Sequence, residues 1–144
     1  LEQAEELFSN RPNQKTLSFD VNDFDVSFVR GLSLEDGAAT LTDFTARVIG
    51  AALFKLLSNE SKKMMNVLVS GGGRKNKILI EKIKKNTLKN IMIQPIDDYG
   101  INGDFVESQA FAFLAIRSIL KLPISFPNTT GCLIPCLGGE QIKN

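Results

Sequence analysis

Histidine is absent from the 144-residue chain. The commonest general acid–base side chain is therefore missing, and any proton transfer falls to carboxylates. Only two cysteines are present, Cys132 and Cys136, close together in GCLIPCLGG. A structural zinc site needs about four N or S ligands, so two thiols without histidine do not build one. Reduced thiols in a reducing cytosol are the expected state, with a disulfide between them as the alternative. An excess of one charge is lacking as well: 17 Lys and Arg against 16 Asp and Glu leave a net +1. That balance exerts no global pull toward nucleic acid or a membrane surface. No apolar run approaches the about 18 residues of a membrane span. The opening LEQAEELFSN has neither a basic start nor an apolar core, so it does not read as a signal peptide. There is no initiator methionine, and the expectation is a piece of something longer.

What is present is ordinary for a globular chain of one domain, with 43% apolar and 23% charged residues. Residues 1–8 place Leu1, Ala4, Leu7 and Phe8 on a short amphipathic helix, and RPNQKTLSFDVND reads as a polar loop. A short helix is expected over 22–30, ending at Gly31. Ser33 then caps a long helix with Asp36 in its first turn. Its apolar residues at 34, 38, 41, 44, 48, 52 and 56 form the expected packing stripe, which ends near Ser58. Met64 to Ser70 reads as a strand, and its continuous apolar run suits a parallel strand covered on both faces. Three glycines separate it from a helix over 75–86 with Leu79, Ile80 and Ile83 inward. Residues 90–96 form a second strand, which completes a βαβ unit. After DDYGING a second strong helix begins at Asp104; it is apolar nearly all round and expected to be deeply buried. The tail from Leu122 is irregular, with proline, glycine and threonine throughout.

Glycine loses more backbone entropy on folding than any other residue, so the triple Gly71-Gly72-Gly73 needs a reason. Between a parallel strand and a helix such a turn is a common phosphate site, because its N–H groups and the helix dipole favour an anion. GGGRKN is nevertheless neither a P-loop nor a GxGxxG fingerprint. A tight turn with close helix–strand packing accounts for it equally well. Lys62, Lys63, Arg74, Lys75, Lys77, Lys82, Lys84, Lys85 and Lys89 gather positive charge here, opposed within the unit only by Glu81. They attract a polyphosphate or form a solvated helix face; no aromatic residues interleave for base stacking. Asp104 and Glu107 form D-x-x-E at a helix start, either a capping box or a carboxylate aimed at a substrate hydroxyl. Asp97 and Asp98 follow a strand's C-terminal end, where open α/β sheets place ligands, though they also serve as turn residues.

The pieces VSGGGRKN, PIDDYGINGDFVESQAFAFLAIR and LPISFPNTTG, in that order, resemble the C-terminal part of anhydro-N-acetylmuramic acid kinase. The upstream RPNQKT resembles the family's P-P-K-S segment, so the likeness runs over nearly the whole chain. The resemblance implies an α/β fold: the C-terminal lobe of an actin/hexokinase-like (ribonuclease H-like) ATPase, with a partial parallel sheet and flanking helices. Residues 1–144 are then one lobe fragment, mainly helical over 1–60, with a βαβα unit and irregular tail over 61–144. It implies ATP and Mg2+ as cofactors, an anhydro amino sugar as substrate and a missing N-terminal lobe as partner. It leaves room for a homodimer and calls for neither nucleic acid nor membrane. The implied reaction is cleavage and phosphorylation of 1,6-anhydro-N-acetylmuramic acid to N-acetylmuramic acid 6-phosphate, for peptidoglycan recycling in the bacterial cytoplasm.

Residue by residue, Gly71, Gly72, Gly73 and Asn76 match the family's nucleotide turn, Glu107 its sugar-facing glutamate, and Asp104 the aspartate that starts that helix. The family's Ala-His is here Arg74-Lys75, and the alanine after the glutamate is Ser108. Its phosphate loop and catalytic aspartate lie upstream of this chain, so no catalytic residue is assigned and the isolated chain is expected to be inactive. The alternatives are a non-catalytic remnant or interaction module of the same fold, or another kinase of the superfamily.

Overall fold

The computed structural model describes residues 21–60, 63–140 and 142. The expected helix over 1–8 and the loop segment RPNQKT lie outside these residues. The chain divides into two compact units, one built on Asp25–Asp104 and the other on Phe105–Asn144, with residues 21–24 in the second.

In the first unit, helix α1 spans Leu34–Leu57 and starts where Ser33 accepts a hydrogen bond from the Asp36 N–H. Strand β1 is Met65–Val69, helix α2 Lys77–Lys85 and strand β2 Ile91–Pro95. The two strands pair in parallel with Met65 opposite Ile91, Val67 opposite Ile93 and Val69 opposite Pro95. The expected βαβ unit is therefore present, and the molecule is an α/β protein with a small parallel sheet.

Its core is Ala46, Ile83, Ile91 and Ile93, with Ile49, Leu53, Leu57, Val67, Val69, Leu79, Ile80 and Leu88 packed around them. Leu79, Ile80 and Ile83 form the inner face of α2 as expected. The packing face of α1 differs from the expected stripe. Ala46, Ile49, Gly50, Leu53 and Leu57 face the core, whereas Leu34 and Leu56 are largely in solvent. Gly50 decides this: a Cβ there would stand 2.5 Å from the Asn86 carbonyl oxygen, so glycine lets α1 approach the end of α2. Asp43 of α1 ties the same pair of helices, accepting from Arg47 Nε and Lys82 Nζ, each at 2.6 Å.

Two further expectations are corrected. Strand β1 is not covered on both faces: Val67 and Val69 face the core, while Leu68 and Met92 lie on an exposed face. Among the described residues of the first unit, the helices cover one side of the sheet only. In place of a helix over 22–30 stand two 3-10 turns, Val21–Asp23 and Ser27–Val29. The Asp25 carboxylate accepts from the Ser27 N–H at 2.8 Å and its hydroxyl at 3.0 Å, a local bond that competes with helix.

In the second unit, helix α3 spans Val106–Ile119. The tail folds back through paired backbone bonds between Ser125 and Cys136, and a single turn, α4, covers Pro127–Thr130. Arg117 donates to the Pro123 carbonyl at 2.7 Å and lies over the rings of Phe113 and Phe126. Deep burial of α3 is not observed: no residue of it is buried, and Phe111, Phe113, Ile116 and Ile119 are each more than half exposed. No helix among the described residues is long and apolar enough to cross a membrane.

Candidate functional site

The glycine turn leaves the C-terminal end of β1. Gly71 has φ +76°, a left-handed conformation that favours glycine, and its N–H donates to the Gly103 carbonyl at 2.9 Å. A 3-10 turn over Gly72–Lys75 follows, and Asn76 caps α2 by accepting from the Leu79 N–H at 3.1 Å. Gly72 and Gly73 differ from Gly71. Neither has positive φ; a Cβ on Gly72 would meet nothing within 4 Å, and one on Gly73 only Leu79 at an ordinary 3.8 Å. Close helix–strand packing therefore does not explain these two glycines.

The opposite wall is the segment from Ile96 to Asp104, which begins with a 3-10 turn over Ile96–Tyr99. Arg74 reaches across to it. Its Nε and Nη2 donate to the two Asp97 carboxylate oxygens at 2.7 and 2.9 Å. Its Nη1 donates to Asp104 Oδ1 at 2.7 Å and to the Gly71 carbonyl at 2.8 Å. The Arg74 side chain is 7% exposed. Lys75 Nζ bonds the second Asp104 oxygen at 2.7 Å. Hydrogen bonds from Arg74 hold the Asp97 carboxyl well below the usual carboxylate range. Those from Arg74 and then Lys75 bring Asp104 down to about 2. The same bonds, to Asp97 first, push the Arg74 guanidinium still higher.

The structure thus brings together Gly71, Gly72, Gly73, Asn76, Asp97 and Asp104, all in the first unit. Asp104 does not cap α3. That helix begins behind Phe105 with no side-chain cap, and the Asp104 carboxylate is taken by Arg74 and Lys75. Glu107 belongs to the second unit, exposed on the first turn of α3, and its carboxylate makes no hydrogen bond to any described residue. Gly103 was missed in the sequence. A Cβ there would lie 2.5 Å from Arg74 Nε and 2.9 Å from Asp97 Oδ2, and the bulky Arg74 in a glycine turn was the signal that some partner must make room. Both cysteines are free thiols, and no three His, Cys, Asp or Glu side chains among the described residues form a group that could hold a metal.

A glycine turn on a parallel strand, opening into a capped helix, is a geometry that recurs in phosphate-handling α/β proteins. Comparison with known proteins narrows the class. The model of the anhydro-N-acetylmuramic acid kinase family matches residues 12–143. The chain is 55% identical over its full 144 residues to the Anhydro-N-acetylmuramic acid kinase of Pelagibacter ubique, of which it covers 38%. It is 42% identical over 137 residues, 95% of the chain, to that of Zymomonas mobilis, covering 35% of it. To that of Rhizobium rhizogenes it is 46% identical over 125 residues, 85% of the chain and 32% of the relative. The chain belongs to the anhydro-N-acetylmuramic acid kinase family and spans about a third of the length of these relatives, from 32% to 38%.

Proposed function

We propose that the chain is the C-terminal lobe of an actin/hexokinase-like kinase, with both compact units in that lobe. The full enzyme opens 1,6-anhydro-N-acetylmuramic acid with water and transfers the ATP γ-phosphoryl group to the freed O6. The product is N-acetylmuramic acid 6-phosphate, in peptidoglycan recycling in the bacterial cytoplasm. In this reading Gly71, Gly72, Gly73 and Asn76 hold the nucleotide and Glu107 faces the sugar. Positioning and charge stabilisation do most of the work in phosphoryl transfer. The phosphate loop and the aspartate that activates the water come from polypeptide beyond this chain, so the 144 residues alone do not turn over.

One observation carries the nucleotide reading. Gly72 and Gly73 are entropically costly, yet the fold demands glycine at neither, and the space above Gly72 is open. A ligand that approaches the backbone closely supplies the missing reason. The family implies a divalent cation with ATP, but the described residues do not fit one. Asp97 and Asp104 are spent on Arg74, and no acidic group of three forms. No step is therefore routed through a metal held by this chain.

The test is Gly72→Val. Its side chain enters open space, so the fold is retained, while affinity for a non-hydrolysable ATP analogue falls about tenfold or more in calorimetric titration. Unchanged affinity in the variant, or ADP release by the isolated wild-type chain, would sink the respective half of the reading.

A further inference from the structure

The two cations after the glycines looked suited to gripping phosphate. Four donor contacts of Arg74 are already spent, on both oxygens of Asp97, on Asp104 and on the Gly71 carbonyl. A guanidinium has five N–H groups, so one remains. The side chain is almost wholly enclosed. Gly103 stands where any larger residue would collide with Arg74 Nε, so the loop is shaped to admit this side chain. Lys75 answers the remaining oxygen of Asp104, and two cations face two carboxylates across the turn. Arg74 thereby joins three points of the chain: the start of the turn at Gly71, the strand exit at Asp97, and Asp104.

From this geometry we infer that Arg74 is a positioning residue, which locks the glycine turn onto the 97–104 loop so that an anionic ligand meets backbone N–H groups rather than the guanidinium. For its ligand the inference rests on the nucleotide reading above; for the clamp it stands alone. A lysine keeps the charge but cannot reproduce the planar fork on Asp97. The clamp therefore predicts that charge is not what matters at position 74.

Two measurements on the 144-residue chain separate the possibilities. The first needs no nucleotide: hydrogen exchange of the Gly71 amide, which donates to Gly103. In Arg74→Lys and Arg74→Met it accelerates about tenfold or more, with Asp97→Asn in the same direction, while the core amide of Ile83 keeps its protection. Unchanged Gly71 exchange in Arg74→Lys overturns the clamp; should that variant lose Ile83 protection, Asp97→Asn decides in its place. The second is titration with a non-hydrolysable ATP analogue. Arg74→Lys, Arg74→Met and Asp97→Asn each weaken binding about tenfold, and Arg74→Met with Asp97→Asn is no weaker than either alone. Loss on Arg74→Met with unchanged or tighter binding on Asp97→Asn makes Arg74 a phosphate ligand and overturns the inference. If the wild-type chain gives no heat with the analogue, the nucleotide reading falls and the exchange measurement decides the clamp.

Discussion

In the unit of Asp25–Asp104, α1 lays Ile49, Leu53 and Leu57 against a core that includes Ile83 and Ile93, and the unit's ion pairs close on neighbours within it. In the unit of Phe105–Asn144, α3 carries Phe111, Phe113, Ile116 and Ile119 largely into solvent. A groove of about 880 Å³ opens between α3 and the tail, lined by Phe111, Leu114, Ile124, Leu137 and Ile142 among others. The two helices have similar apolar content but different fates. In α1 the apolar residues resolve into a face that a neighbour covers. In α3 they surround the axis, and the described residues around it are too few to cover them. A helix apolar all round is one built for an interior, and this chain spans only 38% of its Pelagibacter relative.

Truncation in the two units should therefore have unequal effects. Ile93→Ala removes a 4% exposed side chain from the first core and should cost about 2–5 kcal/mol in urea unfolding. A cost below about 1 kcal/mol would mean that this cluster is not what holds the sheet to the helices.

Acid probes the charges of the first unit. Asp97 and Asp104 are held below the ordinary 3.8 when folded, so their stabilisation is complete above that value. For Asp104 it is lost as pH falls from about 4 through about 2; for Asp97 the loss starts at the same point and continues to still lower pH. In Arg74→Met both shifts shrink to what Lys75 gives Asp104 and the Gly103 N–H gives Asp97, and the decline of stability with acid over this window should flatten. Parallel acid profiles for variant and wild type would contradict the pairing.

The smallest effect is expected in the second unit. Phe111, 65% exposed, should tolerate Phe111→Ser with a stability change of about 0.5 kcal/mol or less. Binding of an apolar fluorescent dye should fall in the same variant. A large loss of stability would show that α3 is better covered than its exposure indicates.

Local signals were the legible ones. Ser33 ahead of an acidic first turn marked the start of α1, and the run from Met64, the glycines and NIMIQPI marked the βαβ unit, because each is a short-range pattern. What failed depended on distance or competition. Asp104 looked like a cap for α3 from its neighbours, but its carboxylate is taken by Arg74, 30 residues away in sequence. The helix over 22–30 lost to the Asp25 side chain bonding the Ser27 backbone. The packing face of α1 does not follow from periodicity, because the deciding contact is an approach of Gly50 to Asn86, which no periodicity records. Of the candidate site, the glycine turn and Asn76 were legible as a motif, whereas Gly103 became visible only with the path of Arg74.

Tyr99 closes the first turn of the clamp segment, donating to Gln94 Oε1 at 2.9 Å and accepting from Asn66 Nδ2 at 3.2 Å. It is the single tyrosine of a chain without tryptophan. Its emission is therefore a built-in optical reporter at one address, two residues from Asp97 and tethered to both strands. Events at the glycine turn that loosen or tighten that tether can be followed by light, without a label and without a background from the second unit.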